Sequence, residues 1–414
     1  MERKHPSHHV VFELPAELGA SCRADGCTNF TVWAPRAQRL EVILPERDGT
    51  VYPLDVQPGG YFGGKVAGVG HGDRYWYRLD EQVLRPDPAS RFQPEGVHGP
   101  SQVVDPKRFV WHDGDWQGLT LQQYIIYELH VGTFSREGSF DGVVSRLEYL
   151  ADLGVTAIEL MPVAQFPGTR NWGYDGACPF APQNSYGGPD GLKRLVDACH
   201  ARGMAVVLDV VYNHLGPEGN YLHAFGPYFT NRYRTPWGDA VNFDGPDSDQ
   251  VRHYIIANAL YWVTEYHVDA LRLDAVHGIF DFSVRHILQE LADVLHNRAQ
   301  ELGRHLYLIA ESDQNDVRLI TPSAQGGYGL DAQWNDDFHH ALRSYLSGDC
   351  SWYYADFGSF SDLVKAFQDG FVLDGCYSVF RRRRHGSSSA GRPPGQLVYA
   401  RHGRELMGCK SPVR

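Results

Sequence analysis

The sequence predicts an α/β protein: an immunoglobulin-like β-sandwich followed by a TIM-type (β/α)8 barrel that is incomplete at its C-terminal end. Three observations predict it. Residues 10–105 fall into short runs of alternating apolar and polar positions parted by turn residues. From Tyr124 onward, buried-type strand runs alternate with amphipathic helical stretches through five successive β-then-α units. Three of those strand runs end in an acid, at Asp209, Asp274 and Glu311.

The elements follow in chain order. Phe30-Thr31-Val32-Trp33, Leu40-Glu41-Val42-Ile43-Leu44 and Tyr75-Trp76-Tyr77-Arg78-Leu79 read as strands of a sandwich over residues 1–105, with Gln57-Pro58-Gly59-Gly60 as a turn and no helical period between. Residues 106–120 form a linker expected to pack through Trp111 and Trp116. The barrel occupies 121–386. Its first strand, 125–130, precedes a helix at 143–153 and a strand at 157–160. Helices at 192–202, 251–266 and 283–301 then lead into strands at 205–211, 270–274 and 306–311. Such repetition implies a parallel sheet with right-handed crossovers, as a barrel or an open doubly wound sheet. No glycine-rich phosphate fingerprint follows the first strand, which favours the barrel.

Composition narrows the function classes. The 414 residues suit two or three domains, and 43% hydrophobic with 21% charged residues is ordinary for a globular protein. Mean hydropathy is −0.38 and no apolar run approaches a bilayer span, so no membrane role is expected. Met1-Glu2-Arg3-Lys4-His5-Pro6 lacks the apolar stretch of a signal peptide. Seven cysteines without a Cys-x-x-Cys pair suit a reducing cytoplasm and argue against structural zinc. The net charge of −12 disfavours a nucleic-acid partner, Arg381 to Arg384 notwithstanding. The adjacent His339 and His340 are too little to propose a metal, and no cofactor is expected.

In a parallel barrel the strand C-termini converge on one face, so Asp209, Asp274 and Glu311 can meet across long sequence separations. Each alone could equally cap the following helix. Arg272 shares a strand face with Asp274, while Leu271 and Leu273 point the other way. A guanidinium there is expected to lower the Asp274 pKa, and the apolar run 306–310 to raise that of Glu311. One ionised and one protonated carboxyl, about 5–5.5 Å apart, is what retaining glycoside cleavage requires. An Arg–Asp ion pair that merely ties the barrel together is the plain alternative. His214 heads a loop carrying Tyr221, Phe225, Tyr228, Phe229, Tyr233 and Trp237. Aromatic faces over an acidic mouth suggest a carbohydrate cleft, although most of the six are expected to pack on one another.

Asp209-Val210-Val211-Tyr212-Asn213-His214, the stretch Ala270-Leu271-Arg272-Leu273-Asp274-Ala275-Val276-His277 and Ile309-Ala310-Glu311-Ser312 resemble three successive signature regions of the α-amylase family, glycoside hydrolase family 13. Met161-Pro162-Val163-Ala164 and Asn171-Trp172-Gly173-Tyr174-Asp175 resemble its second-strand motifs. Residues 216–221, 225–229, 242–246 and 334–342 are similar to the members of that family that cleave the α-1,4 bond beside the terminal trehalose of malto-oligosyltrehalose, releasing trehalose. The resemblance implies Asp274 as nucleophile and Glu311 as general acid/base. It implies Tyr174, Asp209, His214 and Arg272 around the attacked glucose, with the motif neighbours Leu273, Ala275 and Val276 also in the substrate site. His277, Asp336, Asp337, Phe338, His339 and His340 are implied on the leaving-group side. Malto-oligosyltrehalose or another α-1,4-glucan is the implied partner; glycogen branching or debranching, or glucan binding without catalysis, are the alternatives. The resemblance ends near Gly386. Residues 387–414 form a basic tail that lacks the family's Asn-His-Asp signature and reads as a frame change or truncation, Gln396–Ala400 being a possible start of strand seven. Loss of that third carboxylate implies weak or absent activity.

Overall fold

The computed structural model describes residues 17–47 and 50–388 and the backbone of residues 397–398. The first domain is two antiparallel sheets face to face. One holds Gly19–Cys22, Cys27–Trp33, Tyr61–Ala67 and Asp55–Gln57 in that order; the other holds Thr50–Pro53, Leu40–Leu44, Arg74–Leu79 and Val83–Arg85, with Ser101–Gln102 also on Arg74–Leu79. Period-two alternation sends Phe30, Val32, Leu40, Val42, Tyr75 and Tyr77 inward, all essentially buried. Phe30 meets the edge of Tyr75 at 5.0 Å.

Among the described residues seven parallel strands follow: β1 (Ile126–Leu129), β2 (Ala157–Leu160), β3 (Ala205–Val210), β4 (Ala270–Leu273), β5 (Tyr307–Ala310), β6 (Ala332–Trp334) and β7 (Leu397–Val398), each paired with the next. Every residue of β2, β3 and β4 is buried, as expected of strands covered on both faces. The long helices Gly188–His200, Ser248–Glu265 and Ile287–Leu302 precede β3, β4 and β5. Leu208, Leu271, Leu273 and Leu308 face outward into the main core. Ala157, Ala205, Val207, Ala270 and Ile309 face inward, forming an apolar layer against which Trp116, Leu119, Leu121 and Tyr124 pack.

The linker therefore closes the N-terminal end of the barrel, leaving the opposite face for chemistry. Trp116 stacks on His200 at 4.7 Å and Trp111 on His267 at 3.8 Å. Two local expectations need correction. The single helix at 143–153 is two short ones, Phe140–Val144 and Leu147–Asp152, because Arg146 leaves helical geometry (φ −113, ψ 1). The helix expected from 283 begins at Ile287, because Asp281 captures the backbone N–H groups of both Ser283 and Ile287 and holds the intervening turn.

Leu397–Val398 pairs in parallel with Gln333–Trp334, in the place of strand seven. Residues 389–396 and 399–414, including the position expected for the third carboxylate, and Glu405, lie outside the described residues. Among the described residues no helix is long and apolar enough to cross a membrane.

Candidate active site

Register brings the predicted acids together. Asp209 of β3 is the Cα partner of Arg272 of β4, and Asp274 and Glu311 immediately follow β4 and β5. Arg272, 2% exposed, is the hub of the cluster. Its Nη1 donates to both oxygens of Asp209 at 2.8 Å and to Asp274 Oδ1 at 2.9 Å, and its Nη2 lies 2.9 Å from Glu311 Oε1. Tyr174 Oη donates to Asp209 Oδ2 (2.9 Å), Asn213 Nδ2 to Asp274 Oδ2 (2.9 Å), and the Ala275 N–H to Glu311 Oε2 (2.7 Å).

Ala275 adopts a left-handed backbone (φ +41), the turn that carries its N–H back to Glu311. A non-glycine residue there is strained by about 1–3 kcal/mol and persists only because neighbours over-determine it. His214 stacks face to face on Trp237 at 4.7 Å and hydrogen-bonds Asn213 through Nδ1. Burial pushes the His214 pKa down despite the nearby Asp274 carboxylate, so the imidazole is neutral near pH 7.

The electrostatics depart from the sequence expectation at Asp274. Burial raises its pKa, outweighing Arg272, and Glu311 raises it further. One guanidinium is shared among several carboxyls, so none receives its full stabilisation. Asp209 shows the same conflict, burial pushing it up to about 7 against the pull of Arg272. Asp274 and Glu311 thus share one cation, and the charge on Glu311 adds to the burial that disfavours ionisation of Asp274.

A cavity of about 600 Å³ opens beside the cluster, with His277, Phe280, Phe282, His286, Ser312 and Gln314 in its wall. Val276 borders it, and its N–H donates to the Glu311 carbonyl. Of the aromatic loop, Trp237 meets His214 and Tyr233 stacks on Phe280 at 5.3 Å. Phe225 and Tyr228 are instead buried against Tyr77 and Trp33 of the sandwich, which fixes the loop to the first domain.

Other expected positions lie elsewhere. Leu273 is 1% exposed in the outward core, because alternation turns it away from Arg272. None of 336–340 lines the cavity, and neither do Asp209, Arg272, Asp274 or Glu311. Asp336 and Asp337 occupy the first turn of the helix Asp336–Ser347, where its dipole favours acids. Asp337 is buried, accepting from the N–H groups of Val372 (2.7 Å) and Leu373 (2.8 Å) and from Asn315 Nδ2 (2.8 Å). Phe338 packs on Phe367, and His340 is ringed by Tyr353, Tyr354 and Phe357, with His339 beside it. That helix turns this face toward the helix Phe360–Asp369 and a satellite core of its own. The sequence reading also passed over Glu159, whose signal was an acid inside the apolar run Ala157-Ile158-Glu159-Leu160.

Known proteins match the chain in these same regions. Residues 17–91 match the carbohydrate-binding module 48 (isoamylase N-terminal domain) model, and residues 103–235 the alpha amylase catalytic domain model. The malto-oligosyltrehalose trehalohydrolase of Saccharolobus solfataricus is 51% identical over 90% of this chain and 64% of its own length. That of Arthrobacter ramosus is 50% identical over 86% and 62%. A Salmonella typhimurium protein, whose solved structure carries a provisional alpha-amylase assignment, superposes with a TM-score of 0.85 at 41% identity, covering 92% of this chain and 65% of that one. The chain thus spans a little over three fifths of the length of the curated relatives it matches. A module 48 match, a catalytic-domain match and three strand-end carboxylates gathered on one arginine are what the chain shares with proteins of the alpha-amylase family.

Proposed function

We propose that the protein hydrolyses the α-1,4 bond beside the terminal trehalose of malto-oligosyltrehalose, releasing trehalose in the cytoplasm. The observation that carries this reading is the Arg272 guanidinium holding Asp274 on one nitrogen and Glu311 on the other, in a chain half identical to trehalose-releasing relatives. Asp274 attacks the anomeric carbon while Glu311 gives its proton to the departing glycosidic oxygen. Water then resolves the glycosyl ester with Glu311 as base, so configuration is retained.

Arg272 suits both halves of this cycle. Forming the ester removes the negative charge at Nη1, and proton donation creates one at Nη2, so the cation keeps a partner without moving. Asp209, tied by Tyr174 and Arg272, is oriented to accept from hydroxyls of the attacked sugar. His214 on Trp237 offers a flat neutral edge beside it, and the Ala275 N–H fixes the Glu311 carboxyl. The trehalose leaving group would occupy the adjacent cavity, where His277 supplies a polar contact.

Asp274→Asn and Glu311→Gln should each lower the kcat of trehalose release at least a hundredfold, about 2.7 kcal/mol of barrier. Free trehalose is measured from maltotriosyltrehalose. Retention of more than about a tenth of wild-type kcat would sink the assignment. New α-1,6 links in amylose, without trehalose release, would point to branching instead.

A further inference from the structure

Among the described residues, Arg272 stands in the barrel interior within a surplus of acids. Glu128 of β1, Glu159 of β2 and Arg272 of β4 project to the same side as Ile126, Ala157 and Ala270, above the apolar layer that Trp116 closes. Glu159 is 1% exposed. Its Oε1 lies 3.9 Å from Arg272 Nε, beyond hydrogen-bond range, and Glu159 Oε2 and Arg272 Nε are both buried without a hydrogen-bond partner. The other three carboxyls stand at 2.8–2.9 Å from the guanidinium. Each of those has a further donor: Tyr174 for Asp209, Asn213 for Asp274, and the Ala275 N–H for Glu311.

A single guanidinium offsets a single negative charge, so four carboxyls around it, three of them buried and Glu311 partly so, cannot all be ionised. One of the protons this requires belongs on the carboxyl with the longest contact to the cation and no other donor, which is Glu159, beside the proton that Glu311 donates in the reaction. Burial favours its neutral form most, and Glu128, in register beside it, together with Asp209 and Glu311, adds to that preference against the pull of Arg272. We infer that Glu159 is a positioning residue: a neutral carboxylic acid behind the Nε edge of Arg272, holding the guanidinium against Asp209, Asp274 and Glu311 without drawing charge from it. An ionised group there would compete for Arg272. A small apolar one would let the guanidinium fall back from Glu311.

The kinetic part of the test rests on the hydrolase reading; the spectroscopic part does not. Trehalose release by the full chain is followed from about pH 5 to pH 9 for wild type, Glu159→Ala and Glu159→Gln. Glu159→Ala should lose at least tenfold in kcat with KM changed less than about twofold. Glu159→Gln, a neutral isostere, should restore kcat to within about threefold of wild type with the acidic limb of the profile unmoved. A loss in Glu159→Gln as large as in Glu159→Ala, or a shifted acidic limb, would show that Glu159 works as a carboxylate and overturn the proposal. Wild-type rates in both variants would overturn it equally. Should Glu159→Ala not fold, the Gln variant and infrared spectroscopy still decide. The wild-type minus Glu159→Gln difference spectrum at neutral pH should contain a protonated-carboxyl C=O stretch, and a carboxylate band in its place would overturn the proposal. If wild type releases no trehalose, the hydrolase reading fails while the infrared result stands on its own.

Discussion

Asp337 shows how many contacts one buried acid at a helix start can gather. One of its oxygens takes three donors, from Val372, Leu373 and Asn315, and so ties the loop after Asp369 to the segment after β5. Burial pushes its pKa up to about 6, so its ionisation becomes a growing cost of folding as pH rises from about 4 toward 6. Asp337→Ala leaves three buried donors without an acceptor and should destabilise by about 2–4 kcal/mol in urea unfolding. It should change kcat/KM for maltotriosyltrehalose and for maltopentaose by equal factors. A ratio altered more than about fivefold would restore Asp337 to a specificity role. His277, which does line the cavity, is where that ratio should move on substitution by alanine.

Among elements, the linker between the domains is more than a tether. His200, with no side-chain exposure, has one ring nitrogen 2.8 Å from Asp113 Oδ2 and the other 2.9 Å from Asp269 Oδ2. Carboxylates only accept, so both ring nitrogens carry protons and the ring is an imidazolium. Asp113 also meets His267 Nδ1 at 2.7 Å, and Asp269 takes the Trp116 indole N–H at 2.7 Å, so the linker is clamped to the floor of the barrel. Burial opposes the His200 cation, but the two carboxylates prevail and its pKa is raised, while Asp113 and Asp269 are held below the usual carboxylate range. The His200 contribution is therefore complete below about pH 6.5 and fades as pH rises through the raised value. The aspartate contribution is present above about pH 4 and fades on acidification. His200→Ala leaves Asp113 with only His267 and Asp269 with only Arg304 as cationic partners and should cost about 3 kcal/mol at pH 6. The deficit should shrink by pH 8.5, and unfolding curves equal to wild type at pH 6 would refute the clamp.

Across the whole molecule the two domains share one core. The same contiguous cluster runs from Phe30, Leu40 and Tyr75 of the sandwich through Phe180, Tyr228 and Tyr254 to Leu271 and Leu308 of the barrel. Buried Tyr254 Oη donates to the Pro88 carbonyl at 2.6 Å, and Tyr61 Oη to Gln250 at 2.6 Å. Gly226 sits so close to Trp33 that a Cβ there would stand 2.9 Å from the indole. An interface built like an interior should not separate before either domain melts. Calorimetry is expected to give one transition in which calorimetric and van't Hoff enthalpies agree. Two resolved peaks would show that the domains are thermally independent.

The sequence by itself determined the strand pattern, the order of domains and the convergence of Asp209, Asp274 and Glu311, because hydrophobic periodicity and strand-end position are local properties that a parallel sheet turns into geometry. The pairing of Arg272 with Asp274 was legible for the same reason, whereas Leu273, expected in the substrate site on motif resemblance, is turned outward by the same alternation. The tertiary structure alone decided how the charges behave. Arg272 was expected to lower the Asp274 pKa, yet burial raises it, because desolvation and the number of carboxyls sharing one cation depend on residues far apart in the chain. It likewise decided that Phe338 joins a satellite core, that Asp337 ties Val372, Leu373 and Asn315 together, that Phe225 and Tyr228 bind the sandwich, and that Glu159 lies behind Arg272. Which neighbours a side chain meets across the barrel depends on closure and register, and neither is written in any local stretch of sequence.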